Sequence, residues 1–185
     1  MPGSSPGMTY CMSMTYRIRP ARPSEADAIR AIERAAGQSF ATVGYPDVAQ
    51  HDPTPAADLR DAATDGALFV AVGSDDTPVG FLLCTEIDGD LYVQELAVHP
   101  DHAGHRLAVP LLKAAEDFAR SLGLPALCLT TFRTVPWNAP YYERLGFHVL
   151  SDNQIGPSLR LVIARQKAAG LDVANRVAMR RYLPA

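Results

Sequence analysis

Residues Leu91–Leu112, LYVQELAVHPDHAGHRLAVPLL, decide how the chain is read. The first eight, Leu91–Val98, are rich in apolar and β-branched residues, as a strand requires. From Leu107 to Leu122 the apolar period becomes helical: Leu107, Leu111, Phe118 and Leu122 fall near one face, leaving Lys113, Glu116 and Arg120 for solvent. Pro110 is tolerated in the first helical turn, and Gly123 ends the helix. Between strand and helix lies a polar loop, His99–His105. A second apolar strand, Ala126–Thr131 (ALCLTT), follows. Strand, helix and strand in this order make one β-α-β unit, whose strands are expected to be parallel neighbours joined by a right-handed crossover.

Upstream, a short strand is expected over Tyr16–Arg19, stopped by Pro20. Ser24, with Asp27 as the acidic half of a capping box, opens a helix that runs to about Ala36 and buries Ile29, Ile32 and Ala36. From Gly37 to Thr54 periodicity is lost, and this long connector holds Phe40, Tyr45 and His51 as candidate pocket residues. Thr54 and Pro55 start a second short helix that carries Leu59 and stops near Gly66. Three strands, Ala67–Val72, Pro78–Ile87 and Leu91–Val98, joined by a Gly-Ser-Asp-Asp turn and an Asp88-Gly89 turn, read as an antiparallel meander. Downstream come a Pro-rich bend with a short helix over Val135–Leu145, a strand Phe147–Leu150, a helix Ser158–Ala169 and a last strand within Val173–Leu183. The sum is an α/β fold: a mixed, mostly antiparallel open sheet with helices on both faces.

The chain has 185 residues, 48% of them hydrophobic and 20% charged, enough for one compact domain over residues 16–185 behind an N-terminal tail, Met1–Thr15. Met14 offers an alternative start within that tail. A net charge of −3 provides no global cation for a polyanion, so a metabolite or protein partner is expected and nucleic acid is not. No apolar run reaches bilayer length and no signal-like start is present, so neither membrane insertion nor export is expected. Cys11, Cys84 and Cys128 are too widely spaced for a zinc half-site and suit a reducing, cytoplasmic setting, the last two as core thiols.

Unpartnered amides at the start of the Leu107 helix make an anion site of the loop before it, and phosphate is the usual occupant. His102, His105 and Arg106 add local positive character. Neither the dinucleotide fingerprint nor the nucleotide-triphosphate loop is present, so a plain connecting loop fits the same residues. His99, His102 and His105 share no obvious face and lack a completing ligand, so no metal is expected.

Together, LYVQELAVHPDHAGHRLAVPLL and the later NAPYYERLGF (Asn138–Phe147) resemble the GCN5-related N-acetyltransferase superfamily. The resemblance spans about Tyr16–Leu183. It implies a splayed parallel strand pair with acetyl coenzyme A in the gap. Backbone groups of Leu96, Ala97 and Val98 would pair with the pantetheine arm, and the pyrophosphate would rest on Gly104, His105, Arg106, Leu107, Ala108 and Val109. The loop departs from the family pattern: Ala103 and Arg106 stand where Gln or Arg and Gly are usual, and only Ala108 conforms. A glycine there supplies positive φ without cost, whereas Arg106 is expected to be helical and to weaken coenzyme binding.

The resemblance assigns Tyr142 as the acid for the departing thiolate, with a core tyrosine as the other reading, and Tyr141 as a packing aromatic. Glu95, one residue before LAV, is the candidate base, an exposed sheet residue being the alternative, and the Val98 amide would polarise the carbonyl. Asn138 either contacts pantetheine or caps a helix. The expected activity is acetyl transfer from acetyl coenzyme A to a primary amine, of a small molecule or a peptide, by direct attack in a ternary complex. Phe40, Tyr45, Phe132, Arg133 and Trp137 would line the acceptor side, with Arg133 free to bind a carboxylate. A non-catalytic acyl-coenzyme sensor is the alternative, and a homodimer through strand Arg176–Leu183, if that strand lies at an edge, is open.

Overall fold

The computed structural model describes residues 15–184, so the expectations for the tail, Cys11 and Met14 lie outside the described residues. Seven strands form one sheet in the order β1-β2-β3-β4-β5-β7-β6. They are β1 (Arg17–Pro20), β2 (Leu68–Val72), β3 (Pro78–Ile87), β4 (Asp90–Val98), β5 (Ala126–Phe132), β6 (His148–Val149) and β7 (Arg176–Tyr182). Only β4 and β5 are parallel; every other neighbour is antiparallel. The β3–β4 hairpin closes through Asp88 and Gly89, both at positive φ (51° and 80°), the conformation that an Asp-Gly turn favours.

Six helices cover the sheet: α1 (Ala26–Gly37), α2 (Pro46–Ala49), α3 (Ala56–Thr64), α4 (Ala108–Ser121), α5 (Ala139–Arg144) and α6 (Pro157–Ala168). Because β2 is buried along its whole length, its residues feed both layers. Leu68, Val70 and Val72 pack with Ile29 and Ile32 of α1 and Leu59 of α3. Phe69 and Ala71 pack with Leu111, Leu112 and Ala115 of α4 on the opposite face. Leu159 of α6 covers Tyr92, Cys128 and Ala178. Among the described residues, no helix is long and apolar enough to cross a membrane. Cys84 and Cys128 are buried free thiols, and burial pushes both up to about 12.

Several local expectations are corrected. The first helix is entered through a 3-10 turn at Pro23–Glu25, so Glu25, not Ser24, accepts the free amide, from Arg22 at 2.7 Å. Thr54 caps nothing; its amide and hydroxyl both donate to Glu33, each at 3.1 Å. The Gly37–Thr54 connector contains a 3-10 stretch, Gln38–Val43, and α2. Glu116 is not left to solvent, because Arg181 of β7 reaches across to it, and Leu122 is exposed just past the end of α4. Strand β7 is no edge: β6 covers it, though with only two residues. The α6 residues Leu159, Val162 and Ile163 pack internally.

Asp90 opens β4 with a side chain only 7% exposed, and Arg180 of β7 donates to it from Nε at 2.6 Å. Burial pushes the Asp90 carboxyl up and Arg180 opposes that shift. This pair ties β4 to β7 across β5 at the end where β4 and β5 are joined. Removing one partner strands the other charge, so Arg180→Met is expected to cost about 3 kcal/mol. Urea denaturation at neutral pH reads the loss, which shrinks in acid as Asp90 protonates.

Candidate active site

Strands β4 and β5 are paired at only three positions, Leu91↔Leu127, Tyr92↔Cys128 and Val93↔Leu129. The separation begins at a β-bulge in β4. On β3, Leu83 faces Glu95 and the next residue, Cys84, faces Val93, so Gln94 is the extra residue. The bulge bends β4 and also inverts its faces. Leu91 and Val93 pack toward α4, and strict alternation would send Ala97 there too. Instead Ala97 joins the α1 layer, while Leu96 and Val98 pack toward α4. Glu95 is thereby turned to the same side as α1.

The backbone phase of the opened strand follows from one bond. His99 N–H donates to Val79 O at 2.8 Å, which makes Gly80 and Val98 a non-hydrogen-bonded pair. By alternation Leu96 belongs to the same class, so the amides and carbonyls of Leu96 and Val98 face the gap, while those of Ala97 are committed to β3. This corrects the equal roles expected for Leu96, Ala97 and Val98. Across the gap, Arg133 N–H donates to Asn175 O at 2.8 Å and in the same way turns Thr130 and Phe132 backbone groups inward. Two strands therefore turn backbone groups toward one slot, although on β5 the Thr130 carbonyl is already taken by Arg176 Nη2 at 3.0 Å.

A cavity of about 780 Å³ fills this gap. At one end it is lined by Gly104, Arg106, Leu107 and Ala108, the loop and first residues of α4. His105 and Val109 do not line it: the His105 ring packs on Tyr16 at 5.0 Å, and Val109 is exposed. His102 accepts or donates through Nδ1 with the Tyr16 hydroxyl at 2.9 Å, which pins the loop to the start of β1. Gly104 has φ of 82° and Arg106 has φ of 56°. The expectation of a helical Arg106 is thus overturned: the loop keeps the left-handed turn, and an arginine sustains it. The Arg106 side chain is exposed.

Glu95, Glu33, Tyr142 and Asn138 all line the same cavity. Burial, reinforced by Glu33, pushes Glu95 up to about 8, against the opposing influence of Arg176 and of the Leu96 amide. Glu33, on α1, is itself raised by burial, although its bonds to Thr54 resist this. Burial is also the main cause that lifts the Tyr142 phenol above its ordinary value, with Glu95 adding to it, so the phenol stays protonated. Tyr142 packs edge-on against Phe147, 5.5 Å between ring centres, and its hydroxyl makes no hydrogen bond among the described residues. Tyr141, expected as a packing aromatic, lines the cavity as well. Asn138 donates from Nδ2 to Thr131 Oγ1 at 2.7 Å and makes no side-chain cap, so it joins the start of α5 to β5.

At the other end Phe40, Phe132 and Trp137 form an aromatic cluster, with Phe40 5.5 Å from Phe132 and 5.8 Å from Trp137. Tyr45 stacks behind Phe132 at 4.3 Å. Arg133 is exposed and lies outside the cavity lining; Arg176 of β7, to which the sequence assigned no role beyond its strand, is among the arginines that line it. Gln166 and Glu33 were also missed. Their helices were legible, but nothing local marks which polar residue of a helix faces a cleft.

The model of the acetyltransferase (GNAT) family matches residues 29–147. The chain belongs to that family. A streptothricin acetyltransferase from Streptomyces lavendulae is 30% identical, over 76% of this chain and 85% of that protein. Among solved structures, a PaiA N-acetyltransferase from Thermoplasma acidophilum in complex with coenzyme A superposes with a TM-score of 0.63 at 14% identity, covering 92% of this chain and 100% of that one. A nourseothricin acetyltransferase gives a TM-score of 0.56 at 22% identity, covering 91% and 99%. These structural likenesses speak for the fold, and the splayed pair and bulged β4 described above are where this chain realises it.

Holding an arginine at positive φ costs backbone energy that glycine escapes. Arg106→Gly is therefore expected to raise stability by about 0.5–1 kcal/mol, the steric relief exceeding glycine's extra chain entropy. Arg106→Val, branched at Cβ, is expected to lower it by about 1–2 kcal/mol. Chemical denaturation of the three proteins checks both signs.

Proposed function

We propose that this chain is an acetyl-coenzyme-A-dependent N-acetyltransferase that acetylates a primary amine by direct attack in a ternary complex. The observation that carries the reading is the slot itself: Leu96 and Val98 turn their backbone groups away from β3 and into it beside a loop of left-handed turns, and Glu95 and Tyr142 line the same cavity. An extended amide-bearing arm fits an open strand edge as an added strand would. Acetyl coenzyme A supplies the activated acyl group as a thioester; the remaining work falls to the protein. Leu96 and Val98 orient the arm, and the Val98 amide faces the carbonyl oxygen as an electrostatic donor. The loop Gly104–Ala108 receives the phosphates, with the Arg106 guanidinium free to approach them.

Glu95 takes the proton from the acceptor ammonium, directly or through water, so that the neutral nitrogen forms the new C–N bond as the C–S bond breaks. Tyr142 gives its proton to the departing sulfur, and its phenolate is restored by the second proton that the nitrogen sheds in becoming an amide; the first passes from Glu95 to solvent. The two groups divide the work because the same desolvation raises a carboxylate into the range of a useful base and keeps a phenol protonated. The streptothricin acetyltransferase similarity supports an amine acceptor of the same broad kind. The sensor alternative draws on Arg106 standing in place of a loop glycine; the positive φ at that residue supports a loop that keeps its turn.

Glu95 is ionised only above about pH 8, so kcat/KM should climb with pH and level off near that value. Glu95→Gln should abolish the climb and lower kcat/KM about 10²-fold or more, read by thiol release with an amine panel. As a carboxylate raised by folding, Glu95 costs stability increasingly between its ordinary value and about 8; the same substitution should raise Tm at pH 9 and leave it unchanged at pH 4. Tyr142→Phe should lower kcat about 10²-fold with little change in KM for acetyl coenzyme A. Stabilisation of the wild type by acetyl coenzyme A without thiol release for any amine would refute catalysis and restore the sensor reading.

A further inference from the structure

Among the described residues, two buried side-chain polar atoms lack a hydrogen-bond partner: Nε of Arg176 and Oε1 of Gln166. Buried donors and acceptors are almost always paired, so an orphan of each kind calls for a cause. Both residues line the cavity, and both are fixed on the same threonine of β5. Gln166 donates from Nε2 to Thr130 Oγ1 at 2.8 Å, and Arg176 donates from Nη2 to the Thr130 carbonyl at 3.0 Å. The Tyr92 hydroxyl meets Thr130 Oγ1 at 2.9 Å, which completes the set. The Arg176 guanidinium lies over the Phe132 ring at 4.6 Å, so one face is held by the ring while Nη2 is fixed on Thr130. With these contacts made, the buried atoms left without a partner are one N–H donor, Arg176 Nε, and one carbonyl acceptor, Gln166 Oε1, in neighbouring side chains.

We infer that this pair reads an amide group of the acceptor, whose carbonyl oxygen accepts from Arg176 Nε while its N–H donates to Gln166 Oε1. The acceptor is then an amine that also bears a carboxamide or peptide bond. This rests on the acetyl-transfer reading and names the substrate class for that site. A plain alkyl diamine would leave both groups unpaired. A carboxylate would satisfy Arg176 but has no hydrogen to give Gln166 Oε1, which would stay unpaired. Arg176 and Glu95 influence each other's ionisation, so the amide and the reacting amine fall in one neighbourhood of the cleft.

Lysinamide, lysine and cadaverine share one skeleton and differ only in carrying a carboxamide, a carboxylate or hydrogen. Thiol release with each, at saturating acetyl coenzyme A and pH 9, should give the wild type a kcat/KM for lysinamide about tenfold or more above the other two. In Arg176→Met and in Gln166→Leu the lysinamide-to-cadaverine ratio should fall toward one, with KM for acetyl coenzyme A unchanged. Ratios within one variant cancel any common effect of Arg176 on Glu95. A wild type that prefers lysine or cadaverine, or variants that keep the wild-type ratio, overturns the inference while leaving acetyl transfer intact. Absence of thiol release with all three amines is instead the failure of the acetyl-transfer reading. Calorimetric binding of lysinamide and cadaverine in the presence of coenzyme A then decides: tenfold tighter lysinamide binding, lost in Gln166→Leu, supports the amide site, and equal binding overturns it.

Discussion

The structure turns on a stretch of backbone denied its neighbour. Beyond Val93, the parallel pairing of β4 with β5 stops, and the amides and carbonyls of Leu96, Val98 and Phe132 face a gap where a strand partner would ordinarily be. Buried backbone groups left unpaired are costly, and folded chains tolerate them where water or a ligand completes the bonding. The sheet bears this opening because each strand stays paired on its outer side, β4 with β3 and β5 with β7. The other end is held shut by three residue pairs and by the Asp90–Arg180 ion pair.

The electrostatics of the cleft follow from that opening. Helix α1 crosses one face of the gap and brings Glu33 toward Glu95, while β7 brings Arg176 from the far side. Water is sparse enough there to raise both carboxylates, and Arg176 moderates the effect without forming an ion pair among the described residues. A full ion pair would hold Glu95 as a weak base. A wholly unopposed carboxylate would be raised further still. With both influences present Glu95 stands at about 8, which suits it to accept a proton in mildly alkaline solution.

Much of this was legible in the sequence, because period-2 and period-3.6 patterns are strong in β3, β4 and α4 and the turn chemistry at Asp88-Gly89 is explicit. Glu95 and Tyr142 were singled out through the family resemblance of ELAV and YYERLGF, and both line the cavity. The bulge was hidden. Leu96, Ala97 and Val98 are apolar on both faces, so a change of parity leaves no trace in hydropathy. Arg106 misled for a different reason: local preference argues against positive φ in arginine, and the loop's anchoring through His102 and Tyr16 overrules it. Arg176 and Gln166 owe their place to contacts with Thr130, 46 and 36 positions away, and no local signal encodes such distances.

The bulge at Gln94 carries a consequence of its own. Glu95 reaches the α1 layer because one residue is inserted ahead of it, whatever that residue is. The geometry of the cleft therefore depends on the number of residues in β4 as much as on their chemistry. A strand one residue shorter would carry the same glutamate on the wrong side of the sheet, and its restored register would favour zipping β4 onto β5. In lineages of this domain, a one-codon deletion at this point would silence the site more completely than any exchange of side chains.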